Sequence, residues 1–280
     1  MHARILPCAI ALLLATSGAF GDSRFAELEE MKVHYTNRGE GNRALVFVHG
    51  WNCDLTIWKH QMNAFPQMRV MAIDLPGHGE SAKPQINYTM QLHARAVDAV
   101  LRDAHVERAV LVGHSNGTPV VREFYRMFPE RAAGLVFVDG ALRPFAPADQ
   151  VRKLIEPMRA PNYADYFARL TDAMTKPMAD EAERAQIKAL VSRASQHVSV
   201  SEMEALLDDS LWRTDKINVP VLMIQAKQPA WNEDYENFVR SLVPNLDYRV
   251  WPGVSHFLMI DRPNEFNAAL AEFVAKNGLL

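Results

Sequence analysis

Cysteine is scarce in this sequence, and several other compositional signatures are absent. Only two cysteines occur among 280 residues, Cys8 and Cys53, so a small scaffold held together by several disulfides is excluded. The 13 glycines and 16 prolines show no period, which excludes a collagen-like or low-complexity chain. The formal net charge of −3 excludes a strongly basic protein, so we expect no nucleic-acid partner.

What is present is the composition of an ordinary globular protein. Hydrophobic residues make up 49% of the chain and charged residues 22%, which is too apolar for a disordered protein. Charges of both signs are interspersed, as around Arg152 and Glu156, instead of being collected in a tail. The length fits one compact domain with an insertion.

The first 21 residues have the features of a secretory signal peptide. Arg4 precedes an apolar run at 9–15, and the small residues at 17–19 suit a signal peptidase site. We therefore predict a signal peptide at 1–21 and a secreted, periplasmic protein. The apolar run is too short to span a bilayer, so we expect no membrane association after cleavage. Cleavage would remove Cys8 and leave Cys53 without an intrachain disulfide partner.

Short β-rich segments alternate with helical segments on either side of residues 141–217. This alternation predicts an α/β fold with a mainly parallel sheet and helices on both faces. Uninterrupted apolar runs such as 44–48 suit strands that are buried on both faces. The predicted strands are 32–35, 44–48, 69–73, 109–112, 135–138, 219–224 and 248–251, and the predicted helices are 89–103, 118–128 and 264–276.

The alternation stops between residues 141 and 217, where no convincing strand occurs. Four helical segments are predicted there instead, at 149–158, 163–174, 181–195 and 201–211. We predict that these form a helical cap inserted into a core made of 22–140 and 218–280. The cap's larger apolar side chains either line a pocket or form the cap's own core; they are Met158, Tyr163, Tyr166, Phe167 and Met174.

A serine lies in the sequence context of a nucleophile. Residues 113–117 read Gly-His-Ser-Asn-Gly, directly after the predicted strand 109–112 and before the predicted helix 118–128. A strand, a sharp turn and a helix in this order form a nucleophile elbow, which exposes the hydroxyl of Ser115 above the sheet. Glycines on both sides leave room for the close approach of neighbouring backbone.

With two further motifs, the chain resembles the α/β-hydrolase fold family from about residue 32 to its C terminus. His49-Gly50-Trp51 follows the strand 44–48, and residues 74–81 (Asp-Leu-Pro-Gly-His-Gly-Glu-Ser) follow the next strand. The resemblance implies an α/β-hydrolase fold, and it implies an oxyanion hole made by the backbone amides of Trp51 and Asn116. A shared fold does not identify a substrate.

A serine hydroxyl needs a neighbouring base, and the sequence holds ten histidines. His256 follows the last predicted strand and matches the family's late histidine, so the resemblance implies that it is the base. His49, His78 and His114 lie inside family motifs where histidine shapes a loop.

The acid departs from the commonest family pattern. Most members carry it just after the strand that corresponds to 219–224, but residues 225–230 (Gln-Ala-Lys-Gln-Pro-Ala) contain no carboxylate. Some haloalkane dehalogenases take the acid from the end of the preceding strand, and the matching residue here is Asp139. The alternatives are that Glu233 or Asp234 reaches back from a longer loop, or that Asp139 caps the turn into the cap.

Together these residues predict a serine hydrolase that cleaves a small ester or related acyl bond through an acyl-enzyme on Ser115. The substrate is expected to be a small molecule, and no cofactor or metal is implied. The alternatives are a C–C bond, amide or lactone hydrolase, a perhydrolase, or a non-catalytic ligand-binding or receptor protein with the same fold. Serine at position 115 argues against a dehalogenase or epoxide hydrolase, which use an aspartate there. Substrate identity and oligomeric state stay open, and Cys53 is interpreted as an inert packed thiol.

Overall fold

The computed structural model of the protein describes residues 21–280. The predicted signal peptide, residues 1–21, lies outside the described residues except for Gly21, and so does Cys8. Every helix within residues 21–280 is too short or too polar to span a bilayer.

An eight-stranded sheet forms the centre of the described part. Its spatial order is β1-β2-β4-β3-β5-β6-β7-β8. The pairs β1–β2 and β2–β4 are antiparallel, and all other neighbours are parallel. The predicted mainly parallel α/β sheet is thus confirmed. The strands are β1 (Asp22–Leu28), β2 (Met31–Arg38), β3 (Arg43–Val48), β4 (Val70–Ile73), β5 (Arg108–His114), β6 (Ala132–Val138), β7 (Val221–Ala226) and β8 (Leu246–Trp251).

Strand β1 is missing from the sequence prediction, and its position at the edge of the sheet explains why. Its first four residues are exposed, so the segment shows no apolar run that would indicate a buried strand. Polar side chains of this kind are common on edge strands.

Nine α-helices accompany the sheet in the described residues. They are α1 (Met90–Asp103), α2 (Gly117–Met127), α3 (Ala148–Ile155), α4 (Tyr163–Thr175), α5 (Glu181–Val191), α6 (Gln196–Ala205), α7 (Glu233–Leu242), α8 (Leu258–Asp261) and α9 (Pro263–Asn277). The sequence prediction missed α7 and α8. Thr89 begins α1, since its Oγ1 accepts the amide of Leu92 at 3.1 Å.

The central strands of the sheet are buried on both faces, as their apolar runs predict. Successive side chains of a strand point to opposite faces, and the neighbours Val46 and Phe47 on β3 accordingly belong to different hydrophobic clusters. Val46 lies in the cluster that includes residues of α1 and α2, and Phe47 lies in the one that includes α9. The helices therefore hold the carboxyl ends of the strands in a fixed arrangement.

Helices α3 to α6 follow one another between β6 and β7, in the region predicted to be a cap. Residues 141–217, all of them described, contain no strand. The predicted helix at 201–211 is displaced, because α6 begins at Gln196 and ends at Ala205. A separate 3-10 helix (Asp209–Trp212) follows, capped by Asp208, whose side chain accepts the amide of Ser210 at 2.9 Å.

Candidate active site

Ser115 lies on a strained turn between β5 and α2. Its φ of 52° is in the left-handed region that non-glycine residues rarely adopt. The amide of Ser115 donates to Val138 O at 2.8 Å, and Ser115 O accepts the amide of Thr118 at 2.9 Å. These two bonds fix the turn.

The glycines at 113 and 117 are both required by close backbone contacts. A Cβ added to Gly113 would overlap the carbonyl of Gly117, and a Cβ added to Gly117 would lie 2.7 Å from the carbonyl oxygens of Val48 and His49. The tight turn therefore depends on glycine at both positions, as the motif predicts.

The structure brings His256 and Asp139 into contact. His256 follows β8, Asp139 follows β6, and His256 Nδ1 lies 2.6 Å from Asp139 Oδ2. A carboxylate can only accept, so Nδ1 carries the proton and Nε2 is left free to take one. Both residues line one cavity together with Ser115.

The carboxylate of Asp139 is held by two further donors. Its Oδ1 accepts the amide of Ala226 and the indole Nε1–H of Trp231, each at 2.9 Å, and its side chain is only 2% exposed. The end of β7 and the segment after it, where the family resemblance places the acid, thus supply donors that hold a carboxylate located after β6. Trp231 was missed by sequence reasoning, and its position just after the carboxylate-free residues 225–230 is the one weak signal for it.

The alternative acids lie elsewhere. Glu233 and Asp234 are exposed residues in the first turn of α7, so the predicted longer loop is wrong there. The Asn232 side chain starts this helix by accepting the amide of Tyr235 at 3.0 Å. The carboxylate of Asp234 pairs with Arg143 at 2.7 Å and is 77% exposed.

His114 positions the backbone of His256. Its Nε2 donates to His256 O at 2.9 Å, and the two rings are 4.7 Å apart. Burial, with the neighbouring His256, lowers the pKa of His114 well below its usual value, so this ring is neutral. It shapes a loop, as its family motif implies, and does not transfer protons.

The loop after β3 approaches the nucleophile closely. A Cβ on Gly50 would lie 2.9 Å from Ser115 Cβ. His49 fixes this loop, because its Nδ1–H donates to Gly50 O at 2.9 Å and its Nε2 accepts the amide of Leu75 at 3.0 Å. Only the neutral ring can do both, and burial, with His78 close by, lowers the pKa of His49 to about 3.

Trp51 and Asn116, the implied oxyanion-hole residues, both line the cavity beside Ser115. Asn116 directly precedes α2, so its amide lies at the positive end of that helix. The two hydrogen bonds that fix the turn are donated by the amides of Ser115 and Thr118, and the amide of Asn116 takes part in neither of them.

Helix α6 of the cap holds the loop that follows β3. Trp51 Nε1 donates to Ser199 O at 3.0 Å, and Ser199 Oγ donates to Asn52 Oδ1 at 2.6 Å. The ring of Trp51 also packs edge-on against Phe167 of α4, with centroids 5.2 Å apart. The cap therefore helps to set the position of Trp51.

A buried carboxylate joins α6 to the core. Glu202 Oε1 accepts from His78 Nε2 and His93 Nε2, both at 2.8 Å. Burial alone would raise the pKa of Glu202, but attraction to His78 and the two hydrogen bonds outweigh burial and hold it well below its usual range. Sequence reasoning missed this contact, because nothing in the local sequence pairs residue 202 with residues 78 and 93.

Cys53 is an inert thiol in this structure. It is 3% exposed, and burial raises its pKa far above the usual value, so no reactive thiolate is available. Residues 21–280 contain no group of three or more His, Cys, Asp or Glu side chains that could hold a metal ion.

The cavity above Ser115 measures about 300 Å³. Core and cap both contribute to its wall, and the cap residues include Met158, Tyr166 and Met174. Tyr163 and Phe167 are not in the lining and pack in the cap's own hydrophobic cluster. The full lining is Trp51, Ser115, Asn116, Pro119, Asp139, Gly140, Ala141, Phe145, Leu154, Met158, Tyr166, Leu170, Met174, Met203, Leu206, Trp212, Trp231 and His256.

Comparison with known proteins agrees with this fold. A family model described as the alpha/beta hydrolase family matches residues 45–269. A 2-hydroxy-6-oxononadienedioate/2-hydroxy-6-oxononatrienedioate hydrolase of Burkholderia vietnamiensis is 28% identical over 275 residues, which cover 88% of this chain and 92% of that protein.

Two solved structures extend the comparison. The N-acyl homoserine lactone degrading enzyme Est816 is 26% identical with a TM-score of 0.76, over 90% of this chain and 100% of that chain. The enol-lactonase of Burkholderia xenovorans LB400 is 22% identical with a TM-score of 0.78, over 90% of this chain and 100% of that chain, and this likeness concerns the fold alone. With the family model matching most of its length, the chain belongs to the alpha/beta hydrolase family, and it is a hydrolase.

Proposed function

We propose that this protein is a serine hydrolase that cleaves a carboxylic ester through an acyl-enzyme on Ser115. The observation that carries the proposal is the 2.6 Å hydrogen bond between His256 Nδ1 and Asp139 Oδ2, at a cavity that Ser115 also lines. A nucleophile, a base and an orienting acid are the three groups that acyl transfer through serine requires.

In the acylation step, Ser115 Oγ attacks the ester carbonyl carbon while His256 Nε2 takes the hydroxyl proton. Asp139 holds the ring and stabilises the positive charge that forms on it. The amides of Trp51 and Asn116 donate to the developing oxyanion, a contribution that is typically worth about 10² to 10³ in rate per donor. Collapse of the intermediate expels the alcohol, which receives its proton from His256.

Deacylation repeats these steps with water as the nucleophile. His256 removes a proton from the water as it attacks the acyl-enzyme, and it returns that proton to Ser115 Oγ when the second intermediate collapses. The products are the carboxylic acid and the free enzyme.

The hydrogen bond to Asp139 also bears on the alternative of a non-catalytic binding protein. That alternative depends on the lack of a carboxylate at 225–230, which is the gap expected in a protein that has lost catalysis. Asp139 offers His256 a carboxylate from the neighbouring strand, so the gap no longer favours a binding protein.

A fluorophosphonate probe tests the proposed function. We expect the folded protein to be labelled at Ser115, as located by peptide mass spectrometry, because only an activated serine reacts with this probe. Ser115→Ala should abolish labelling, and Ser241→Ala, at an exposed serine of α7, should leave it unchanged. A folded wild-type protein that is not labelled would favour the binding alternative.

A further inference from the structure

The cavity wall restricts the charge of the substrate. On the basis of the serine hydrolase function above, we propose that the substrate is an uncharged ester or lactone with a mainly hydrocarbon substituent, and that the cavity rejects substrates with a second carboxylate. The relative from Burkholderia vietnamiensis is named for dioate substrates. This chain would therefore differ from that relative in the charge of its substrate.

Among residues 21–280, the cavity lining offers no lysine or arginine to pair with a bound carboxylate. The one carboxylate among these lining residues, Asp139, is bonded to His256. Arg169 is exposed and lies over the ring of Tyr166 at 5.7 Å, but it is not part of the lining. A carboxylate that leaves water without a cationic partner incurs a large desolvation cost, and no lysine or arginine among the described lining residues offsets that cost.

The tryptophans of the wall present carbon surface because their N–H groups are already used. Trp51 donates to Ser199 O, Trp212 donates to Leu206 O at 3.0 Å, and Trp231 donates to Asp139. An indole has no other donor. Three residues that could have held a polar substrate are therefore apolar walls.

Few other polar groups remain in the lining, and none is cationic. Burial raises the pKa of Tyr166, so its hydroxyl is neutral near pH 7. The side-chain amide of Asn116 carries no charge. The rest of the cap's contribution is aliphatic, thioether or aromatic, as at Leu154, Leu170 and Met203. A cavity of about 300 Å³ is at the small end of ligand sites, which suits a short hydrocarbon chain or ring.

Three matched 4-nitrophenyl esters test this proposal. They are the hexanoate, the mono-ester of adipate, which has the same chain length but ends in a carboxylate, and the methyl ester of that adipate, in which the charge is masked. We expect kcat/KM for hexanoate to exceed that for adipate by at least about 100-fold, because the carboxylate would be buried unpaired. Masking the charge should restore most of the rate.

A series of unbranched 4-nitrophenyl esters tests the hydrocarbon part of the proposal. From acetate to hexanoate, kcat/KM should rise by up to about fourfold per methylene.

A cation placed at the edge of the cavity provides the complementary test. Phe145 lines the cavity and is 47% exposed, so an arginine can be accommodated there. Phe145→Arg should raise the ratio of adipate to hexanoate turnover about fivefold, the size of one partly exposed ion pair, and Phe145→Leu should leave that ratio unchanged.

The outcomes separate this proposal from the function on which it rests. If Ser115 is not labelled and no ester is cleaved, the serine hydrolase function fails. If Ser115 is labelled and hexanoate is cleaved, but adipate reacts equally fast, only the proposed selectivity is overturned. A Phe145→Arg variant with an unchanged ratio would also overturn it, because rejection would then not depend on charge.

Discussion

Asp139 accepts hydrogen bonds from three donors. Replacing it is therefore the most direct test of which carboxylate orients His256. Asp139 follows β6 with a φ of 44° and meets His256, Ala226 and Trp231. We predict that Asp139→Asn lowers kcat about 10⁴-fold, because an amide that donates to Nδ1 would leave His256 in the wrong tautomer. Steady-state kinetics on 4-nitrophenyl hexanoate, with circular dichroism to check folding, measures the effect.

Two carboxylates on α7 provide matched controls for that measurement. Glu233 and Asp234 are exposed, so Glu233→Gln and Asp234→Asn should each change kcat by less than about twofold, as expected of surface substitutions. A larger loss in either control than in Asp139→Asn would show that the acid had been assigned to the wrong residue.

A local motif predicts Ser115, and the family resemblance predicts His256 and Asp139, but neither predicts Trp231 or the partners of Glu202. A nucleophile elbow is written in five consecutive residues, so it is readable without tertiary structure. Trp231 and Asp139 are 92 positions apart, and Glu202 is 109 positions from His93. Such pairs depend on how the chain folds back, which neither periodicity nor propensity encodes.

Helix α6 is the cap element with the most direct influence on the site. Ser199 and Glu202 are three residues apart, so they share a face of the helix, and they contact the loop after β3 and the buried histidines, respectively. The sequence places this helix five residues too late, at 201 instead of Gln196. Serine is a weak helix former, and contacts such as those of Ser199 with Trp51 and Asn52 override that propensity.

Replacing the buried carboxylate of α6 should destabilise the protein. We predict that Glu202→Gln lowers the free energy of unfolding at pH 7 by about 1.5–3 kcal/mol, because hydrogen bonds to a charged group are lost in a buried place. Urea unfolding measures this. Glu204→Gln, two residues further along α6 in an exposed pair with Arg159, should cost less than about 1 kcal/mol. Equal losses in the two variants would mean that the buried contact stabilises the fold no more than the exposed pair does.

At the scale of the whole molecule, the apolar strands determined what could be predicted. The sequence predicts seven of the eight strands, and the apolar runs in β3 to β7 indicate burial on both faces. The carboxyl ends of β3, β5, β6 and β7 lie side by side in the sheet. The chemistry collects at that edge because parallel strands end there together. The polar edge strand β1 and the bounds of α6 depend on tertiary contacts, so the sequence pattern does not reveal them.

Acid should destabilise the folded protein well above the range in which carboxylates titrate. His49 and His114 are buried as neutral rings with lowered pKa values, whereas an unfolded histidine has a pKa of about 6.5. Below that value the unfolded chain binds two protons that the native state excludes, so the free energy of unfolding falls with pH. The slope for two histidines is up to about 2.7 kcal/mol per pH unit. Their contribution is complete above about pH 6.5 and is lost as the pH falls toward the lowered native values.

Urea unfolding at pH 7.5, 6.5, 5.5 and 4.5 measures this loss before the carboxylates contribute. Asp74 and Glu202 also have lowered pKa values, so they add to the loss only below about pH 4.3, near the value of an unperturbed glutamate. His105→Asn should keep the same slope, because His105 is exposed and asparagine tolerates its positive φ of 53°. A free energy of unfolding that stays constant between pH 6.5 and 4.5 would show that His49 and His114 can be protonated without leaving the fold.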